Sequence, residues 1–480
     1  MVLSLKNRKK FRIMQDTKKY IQHLFTAKGI KIAAQEEKLF EAFCQEESNK
    51  EKVIQVIENQ DFIIMSWTKK NRIEAIIRQN ISLPNAMAGK AYTAFLEVEK
   101  WQWQDILELK VENLEGTGLS YDSKTRAITG IPIQKGDISL SIQFRLEEDG
   151  LFQEKKMMLI INPDPKSLWQ NLPSNTEDPY WKPDNAVFST TVGDKNLVAA
   201  SKRGRSHANT GGFREDDFMF HHIEETGWNV IVVSDGAGSA KMSREGSRRS
   251  CELVVEYFRH DFTLSFSQEL DAILANYHQT QKDETSRKNL NAFIFEHLPK
   301  AVHGTHKYLN DFAKEQDFPL KDLNATLIFA VFKKYEFGYA IMTFGVGDCP
   351  IAWLNKEQTE VKLMNRLDVG EFGGGTRFIT MPEIFGAKDF YTRFGFTLVE
   401  DFSYLFLMTD GIYDPKFVVE ANLEKVESWQ AFLRDLQGEN AENVAVDFSP
   451  ENKDIAEQLS QWMDFWSTGN HDDRTLAIIF

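Results

Sequence analysis

The stretch that decides the fold is Asn229–Ala240, NVIVVSDGAGSA. Its apolar run Val230–Val233 is rich in β-branched residues and predicts a buried strand. The run ends near Asp235, which is followed by the small residues Gly-Ala-Gly. A carboxylate at the end of a buried strand is costly unless a partner such as a metal ion binds it. The sequence therefore predicts a cation site at this strand end.

The segment in front of this strand brings further acids to the same place. Glu224–Gly227 has the composition of a turn and separates two strand-like runs, which predicts an antiparallel hairpin. A turn centred between residues 225 and 226 places Asp216 opposite Asp235. Glu215 and Asp217 then lie beside them, and these like charges would repel one another without a cation. The alternative interpretation is an exposed acidic hairpin end.

Length and composition limit the classes to which the protein can belong. The 480 residues suggest about three domains, and the net charge of -14 argues against nucleic acid or an anionic membrane as the main partner. The three cysteines lack metal-ligand spacing and are predicted to be reduced core residues. No run approaches the roughly 18 apolar residues of a membrane helix, and no secretory signal is recognisable. We therefore expect a cytoplasmic protein.

The pattern along the chain changes three times. Residues 1–79 form a mostly helical region, in which apolar residues such as Val53 and Ile57 lie one turn apart. Residues 80–163 show short alternating runs that predict a small antiparallel β-sandwich. Residues 164–184 form a proline-containing linker, and residues 185–480 form the last domain. The runs 118–122 and 128–132 resemble the immunoglobulin-like repeats of many bacterial proteins, which implies a spacer or interaction module.

Three more strand-like runs in the last domain end or begin at acids. Asp348 follows one run, Asp410 follows another, and Asp472 precedes the final strand. Clustered carboxylates are the ligands that Mg²⁺ and Mn²⁺ prefer. Two such ions a few ångströms apart activate a shared water and bind a phosphoryl group. The pattern predicts hydrolysis of a phosphate ester.

The order of these motifs carries a resemblance. The motifs are Arg214–Asp216, Ser234–Gly236, Asn324–Thr326, Gly345–Asp348, Met408–Asp414 and Asp472–Thr475. In this order they resemble the signature of the protein phosphatase 2C family of metal-dependent serine/threonine phosphatases. The resemblance implies an α+β fold, a four-layer αββα sandwich, for residues 185–480. It also implies hydrolysis of phosphoserine and phosphothreonine in proteins.

The resemblance also implies roles for individual residues. Asp235 would bridge two Mg²⁺ or Mn²⁺ ions, with the Gly236 carbonyl on one of them. Asp410 and Asp472 would bind the other ion, and Glu215 and Asp216 would contact the ions through water. Asp348, with Asp410, would bind a weaker third ion. Asp216, Asp235, Asp410 and Asp472 would be the catalytic acids.

Some positions depart from the family pattern. Gly211 stands where the family usually has a phosphate-binding arginine, and Arg205, His207 and Arg214 are the nearby candidates to replace it. The stretch around His207 resembles a bacterial subgroup that has a histidine there. The Asp-Gly-His of eukaryotic members is Asp-Gly-Ala here, so another group must protonate the leaving group. The Gly-rich segment Gly370–Arg377 suits a mobile flap, in which Arg377 would meet the substrate; a plain surface loop is the alternative.

The leading hypothesis is a cytoplasmic signalling enzyme: a protein phosphatase with phosphorylated protein substrates, a cognate kinase as a further partner, and neither nucleic acid nor membrane as a ligand. One alternative is a catalytically silent phosphatase-like scaffold, which loss of the metal-binding acids would indicate. The other is a phosphohydrolase that acts on a nucleotide or a small phosphate ester at the same two-metal centre.

Overall fold

The computed structural model describes residues 17–368 and 375–480. The chain forms two compact units that divide between Leu168 and Trp169. The boundaries predicted at residues 79/80, 163/164 and 184/185 stay predictions. Among the described helices, none combines the length and the apolar character that crossing a membrane requires.

The first unit begins with helices, as predicted. They are α1 (residues 17–27), a 3-10 turn (Ala34–Glu36), α2 (Glu37–Gln45) and α3 (Glu47–Arg78). Ile21, Phe40, Cys44 and Val53 form a small buried cluster among them. Apolar residues one turn apart on α3 therefore do pack inward at its N-terminal end.

The β-sandwich predicted for the first unit is present. Its strands are β1 (Ala86–Met87), β2 (Tyr92–Phe95), β3 (Glu108–Glu112), β4 (Leu119–Asp122), β5 (Ala127–Gly130), β6 (Gly136–Arg145) and β7 (Gln153–Asn162). They form the sheets β1-β7-β6-β3 and β2-β5-β4 around one core that includes Trp103 and Phe144. Every second residue of β7 is buried, which is the period of a half-buried strand.

Two details refine the prediction for this sandwich. The β1–β7 pair is parallel, so the prediction of an antiparallel sandwich was wrong for that edge. At the β4–β5 turn, the Asp122 carboxylate accepts hydrogen bonds from the Lys124 amide (2.9 Å) and the Thr125 hydroxyl (2.8 Å). The likeness to immunoglobulin-like repeats stays a prediction.

The second unit is built on two antiparallel sheets. Its strands are β8 (Asn185–Val192), β9 (Lys195–Lys202), β10 (Asp217–Ile223), β11 (Trp228–Ser234), β12 (Leu327–Tyr335), β13 (Gly338–Val346), β14 (Ile351–Asn355), β15 (Val361–Leu363), β16 (Phe394–Val399), β17 (Phe402–Met408) and β18 (Arg474–Ile479). The first sheet has the order β10-β11-β12-β13-β16, and the second has the order β15-β14-β17-β18-β9-β8.

Helices cover both sheets on their outer faces. The helices of this unit are α4 (Arg205–Thr210), α5 (Ser243–Asp261), α6 (Leu264–Gln279), α7 (Glu284–Glu315), α8 (Glu383–Gly386), α9 (Asp410–Phe417), α10 (Val426–Leu436) and α11 (Ile455–Trp462), with short 3-10 turns at Leu320–Leu323, Phe390–Arg393 and Glu420–Asn422. A further 3-10 turn, Pro165–Leu168, ends the first unit. Helices α5 to α7 pack on the first sheet, and α9 to α11 pack on the second. The four-layer αββα arrangement is confirmed.

Strand β11 shows why its sequence is a continuous apolar run. Val230 and Val232 pack toward the helices, and Ile231 and Val233 pack toward the second sheet. All seven residues of β11 are buried because the strand has a protein layer on each face. A strand in this position leaves only its end free for polar chemistry.

Candidate metal centre and active site

The hairpin register predicted from the sequence is confirmed. Strands β10 and β11 pair antiparallel with Asp217 opposite Ser234 and Phe218 opposite Val233, and the turn lies at residues 224–227. The next position outward places Asp216 across from Asp235. Two acids therefore meet where the first sheet ends.

The backbone around Asp235 is fixed by the segment that precedes β12. The Asp235 amide donates to the Thr326 hydroxyl (2.9 Å), and the Thr326 amide donates to the Asp235 carbonyl (2.8 Å). Gly236 pairs with Ala325 in an isolated bridge. A Cβ on Gly236 would lie 2.7 Å from the Glu215 carbonyl oxygen, so this position excludes any larger residue. The small residue next to Asp235 permits the close approach of the two acidic segments.

Asp216 is held by two hydroxyl groups from the second sheet. Its Oδ2 accepts hydrogen bonds from Thr409 Oγ1 and Thr475 Oγ1, both at 2.8 Å, and the residue is only 1% exposed. Thr409 precedes α9 and Thr475 lies in β18. Sequence reasoning missed these two residues because a lone threonine beside an acid has no distinctive pattern.

The remaining predicted acids converge on the same strand ends. One carboxylate oxygen each from Asp235 and Asp348 lies within 4.8 Å of the other and of the Cys349 sulfur. Burial raises the pKa of Asp410 well above its usual value, and the charges of Asp348, Asp472 and Asp216 raise it further. Burial, followed by the charge of Asp410, does the same to the pKa of Asp235. Asp472 lies at the exposed rim. The structure therefore gathers these predicted acids in one cluster.

Two buried oxygens in this cluster have no hydrogen-bond partner within residues 17–368 and 375–480: Glu215 Oε2 and Asp348 Oδ1. Burial, reinforced by the charge of Asp473, raises the pKa of Glu215 to about 7, although His207 opposes the shift. A divalent cation would bind carboxylate oxygens that have no hydrogen-bond partner and would offset the repulsion between the neighbouring negative charges. A set of ligands made only of oxygen atoms suits Mg²⁺ or Mn²⁺. The residues present fit such ions.

A second carboxylate, Asp473, organises the neighbouring loop. It is 2% exposed, and it accepts hydrogen bonds from the amides of Gly204 and Glu215 and contacts His207 Nδ1 at 3.0 Å. Burial lowers the pKa of His207, but the hydrogen bond to Asp473 outweighs burial and raises that pKa to about 9. His207 Nε2 lies 3.8 Å from Glu215 Oε2. The imidazole thus faces the acid cluster with its orientation set by Asp473, which the sequence analysis did not single out.

Comparison with known proteins identifies the family of the chain. The model of the family described as "Protein phosphatase 2C" matches residues 203–464, more than half of the chain. The chain belongs to the protein phosphatase 2C family. The matched range includes every acid that is predicted to bind metal except Asp472. A search of curated proteins found no match to the chain.

Several solved phosphatases are similar in structure to this protein phosphatase 2C member. A bacterial serine phosphatase is 14% identical, with a TM-score of 0.34, and the match covers 59% of this chain and 96% of the other. Serine/threonine phosphatase Stp1 from Staphylococcus aureus is 13% identical, with a TM-score of 0.34 and coverage of 65% and 96%. The catalytic domain of the phosphatase PstP, in complex with two manganese ions, is 17% identical, with a TM-score of 0.32 and coverage of 59% and 96%.

Two residues of this family member that the sequence predicts to bind phosphate, Arg205 and Arg214, donate to backbone carbonyls. Arg214 is 2% exposed and donates to the carbonyls of Pro183 (3.0 Å) and Asp216 (2.7 Å). It therefore stabilises the backbone beneath the acid cluster, and a substrate cannot reach it. Arg205 donates to the backbone carbonyls of residues 464 and 465. Both guanidinium groups are occupied by backbone oxygens, which a sequence pattern does not reveal.

Gly211 does not offer a place for the missing arginine of the family. It ends α4 in the left-handed conformation, with φ 71°. A Cβ there would point at the Pro173 carbonyl, 3.4 Å away. Any side chain at this position would be strained and directed at the segment 172–173, so His207 is the remaining basic candidate on α4.

The described end of the predicted flap lies beside Asp348. Thr376 donates a hydrogen bond to Asp348 Oδ2 (2.7 Å), and the next residue, Arg377, is exposed. Residues 369–374, which contain most of the Gly-rich stretch, lie outside the described residues. The described side chain at this end that contacts the acid cluster is thus Thr376, and the contact of Arg377 with substrate stays a prediction.

Proposed function

We propose that this protein is a Mg²⁺- or Mn²⁺-dependent phosphatase of phosphoserine and phosphothreonine in proteins. Membership of the protein phosphatase 2C family supports phosphatase activity. The proposal rests on two buried carboxylate oxygens, one on Glu215 and one on Asp348, that have no hydrogen-bond partner among the described residues. Both lie inside a cluster of carboxylates that repel one another. Such a cluster opposes its own folding unless cations bind it.

The proposed metal ligands follow the placement of the acids. Asp235, the Gly236 carbonyl, Asp410 and Asp472 would hold two ions, with Glu215 and Asp216 contributing through water. Asp348, together with Asp410, would hold a weaker third ion. When bound, the ions supply positive charge that activates water for in-line attack and neutralises the phosphoryl oxygens.

The residues of the chain have distinct proposed tasks around this centre. Thr409 and Thr475 keep the Asp216 carboxylate in one orientation through their hydroxyl groups. Asp473 directs the imidazole of His207 toward the cluster, where its Nε2–H would donate to the substrate phosphate. Arg377, exposed beside Thr376, would contact the phosphorylated segment.

The experiment that tests the proposal is hydrolysis of a phosphothreonine peptide by the whole chain with Mn²⁺, with Mg²⁺ and with a chelator. A nucleoside triphosphate assayed in parallel distinguishes a protein phosphatase from a small-ester hydrolase. Asp410→Asn should abolish the metal-dependent release of phosphate. Glu424→Gln changes an exposed acid that follows α9 in the chain, and it should leave this release intact. Release by Asp410→Asn equal to the wild type would contradict the proposed ligand set. Bound ions without peptide hydrolysis would favour another substrate class, and no bound ions would favour the scaffold.

A further inference from the structure

Asp472 differs from the other acids of the cluster in how it is held. Asp216 is buried and bound by two threonine hydroxyls, and Asp235 directly follows the buried strand β11. Asp472 is exposed. Among the described residues, its carboxylate accepts a hydrogen bond only from the neighbouring amide of Asp473, at 2.8 Å. The direction of the Asp472 side chain therefore depends on how the backbone of residues 471–473 is held.

This backbone is held through His471. The His471 carbonyl accepts hydrogen bonds from the amide (3.0 Å) and the hydroxyl (2.7 Å) of Ser206, on α4. The imidazole contacts two indoles, with its ring centroid 4.5 Å from that of Trp169 and 4.8 Å from that of Trp466. Its Nδ1 is buried and has no hydrogen-bond partner in the part of the chain that the structure describes. Aromatic packing therefore holds the side chain that precedes Asp472.

Trp169 begins a short segment, residues 169–172, that we call the strap. The Leu172 amide donates to the carbonyl of Ala208, in α4, at 2.9 Å. The buried Arg203 guanidinium donates to the Leu172 carbonyl, also at 2.9 Å. The strap is therefore fixed to the same helix that binds the His471 carbonyl.

We propose that Trp169 is a positioning residue for the metal ligand Asp472. The strap holds the Trp169 indole against the His471 ring, and this contact fixes the backbone from which the exposed carboxylate extends. The inference rests on the proposed function, because it takes Asp472 and Asp410 as ligands of one ion. The ion on the Gly236 carbonyl does not involve this loop. A change at Trp169 should therefore affect the two ions differently.

Calorimetric titration of the full chain with Mn²⁺ tests this inference. Trp169→Ala should weaken the binding of one ion about three- to tenfold, the range that the loss of one aromatic contact allows, and should leave the other ion unchanged. Trp169→Phe keeps an aromatic ring and should bind both ions nearly as the wild type does. Trp181→Ala, at a tryptophan that is 36% exposed and lies in the same predicted linker, is the matched control and should bind both ions normally.

A double-mutant cycle identifies the ion that Trp169 affects. Asp472→Asn should weaken the same ion, and Trp169→Ala should add no further loss to Asp472→Asn, because no carboxylate is left to position. Additive losses, or equal losses at both ions, would show a general structural role and would overturn the inference. Normal binding of both ions by Trp169→Ala would overturn this inference alone. A wild type that binds no Mn²⁺ would overturn the proposed function as well.

Hydrogen exchange in chelator measures the loop without any ion. Trp169→Ala should speed exchange of the Ser206 amide, which donates to the His471 carbonyl, about three- to tenfold. Amides of β11 should stay protected, which shows that the fold is intact, and Trp181→Ala should exchange as the wild type does. Unchanged exchange at Ser206 in Trp169→Ala would refute the claim that the indole holds this loop.

Discussion

Glu215→Gln tests the electrostatics of the metal centre without any added metal. The pKa of Glu215 in the folded protein is raised from 4.5 to about 7. Between these two values the folded protein holds a proton that the unfolded chain has released. The wild type therefore loses stability as the pH rises through this window, and the loss is complete by about pH 8. The amide of the variant does not titrate, so Glu215→Gln avoids that loss.

The magnitude follows from the size of the shift. At about 1.4 kcal/mol per pKa unit, an ionised Glu215 costs the metal-free fold about 3 kcal/mol. Glu215 Oε2 has no hydrogen-bond partner among the described residues, so the variant breaks no hydrogen bond of that atom. The stability of Glu215→Gln relative to the wild type should thus increase by about 2.5 kcal/mol between pH 5 and pH 8, because part of the total loss occurs below pH 5. In melting temperature this is roughly 4 °C for a unit of the size of Trp169–Phe480.

The assay is thermal and urea unfolding in chelator at pH 5, 6, 7 and 8. Glu424→Gln is the matched control, because this acid is exposed, and its difference from the wild type should be constant with pH. Added Mn²⁺ should raise the stability of the wild type more than that of Glu215→Gln, since only the wild type has the repulsion that the ion relieves. Parallel pH curves for Glu215→Gln and the wild type in chelator would refute the reasoning.

Two further predictions concern side chains next to the acid cluster, and a third concerns the first unit. Thr409→Val should weaken Mn²⁺ binding about 10–100-fold, because the Asp216 carboxylate loses one of its two orienting hydroxyl groups, whereas Thr409→Ser should bind normally; calorimetry measures both. His207→Gln should raise the Michaelis constant for a phosphopeptide about tenfold or more, the value of one charge-assisted hydrogen bond, and Arg205→Gln should not, since Arg205 is bound to backbone carbonyls. An equal effect of the two variants would remove the proposed role of His207. Deletion of residues 1–168 should leave Mn²⁺-dependent turnover of a small phosphate ester largely unchanged, because the division between the units lies at that point; loss of folded protein would show that the units depend on each other.

The sequence by itself determined the local geometry of the centre. The turn at residues 224–227 and the alternation of β10 and β11 set the hairpin register, and that register alone places Asp216 opposite Asp235. The order of acid-ended strands identified the family before any contact was known. These features are predictable because hydrogen bonding between adjacent strands and side-chain period depend on residues close in the chain.

Only the tertiary structure decided which side chains support the acids. Thr475 reaches Asp216 and Asp473 reaches His207 across more than half of the residues of the second unit. Arg214 resembles a phosphate ligand in the sequence, yet packing of the two sheets buries it against backbone carbonyls. Contacts of this kind depend on how the sheets stack and on which rotamers fit between them. That information is distributed over the whole core, so no short motif contains it.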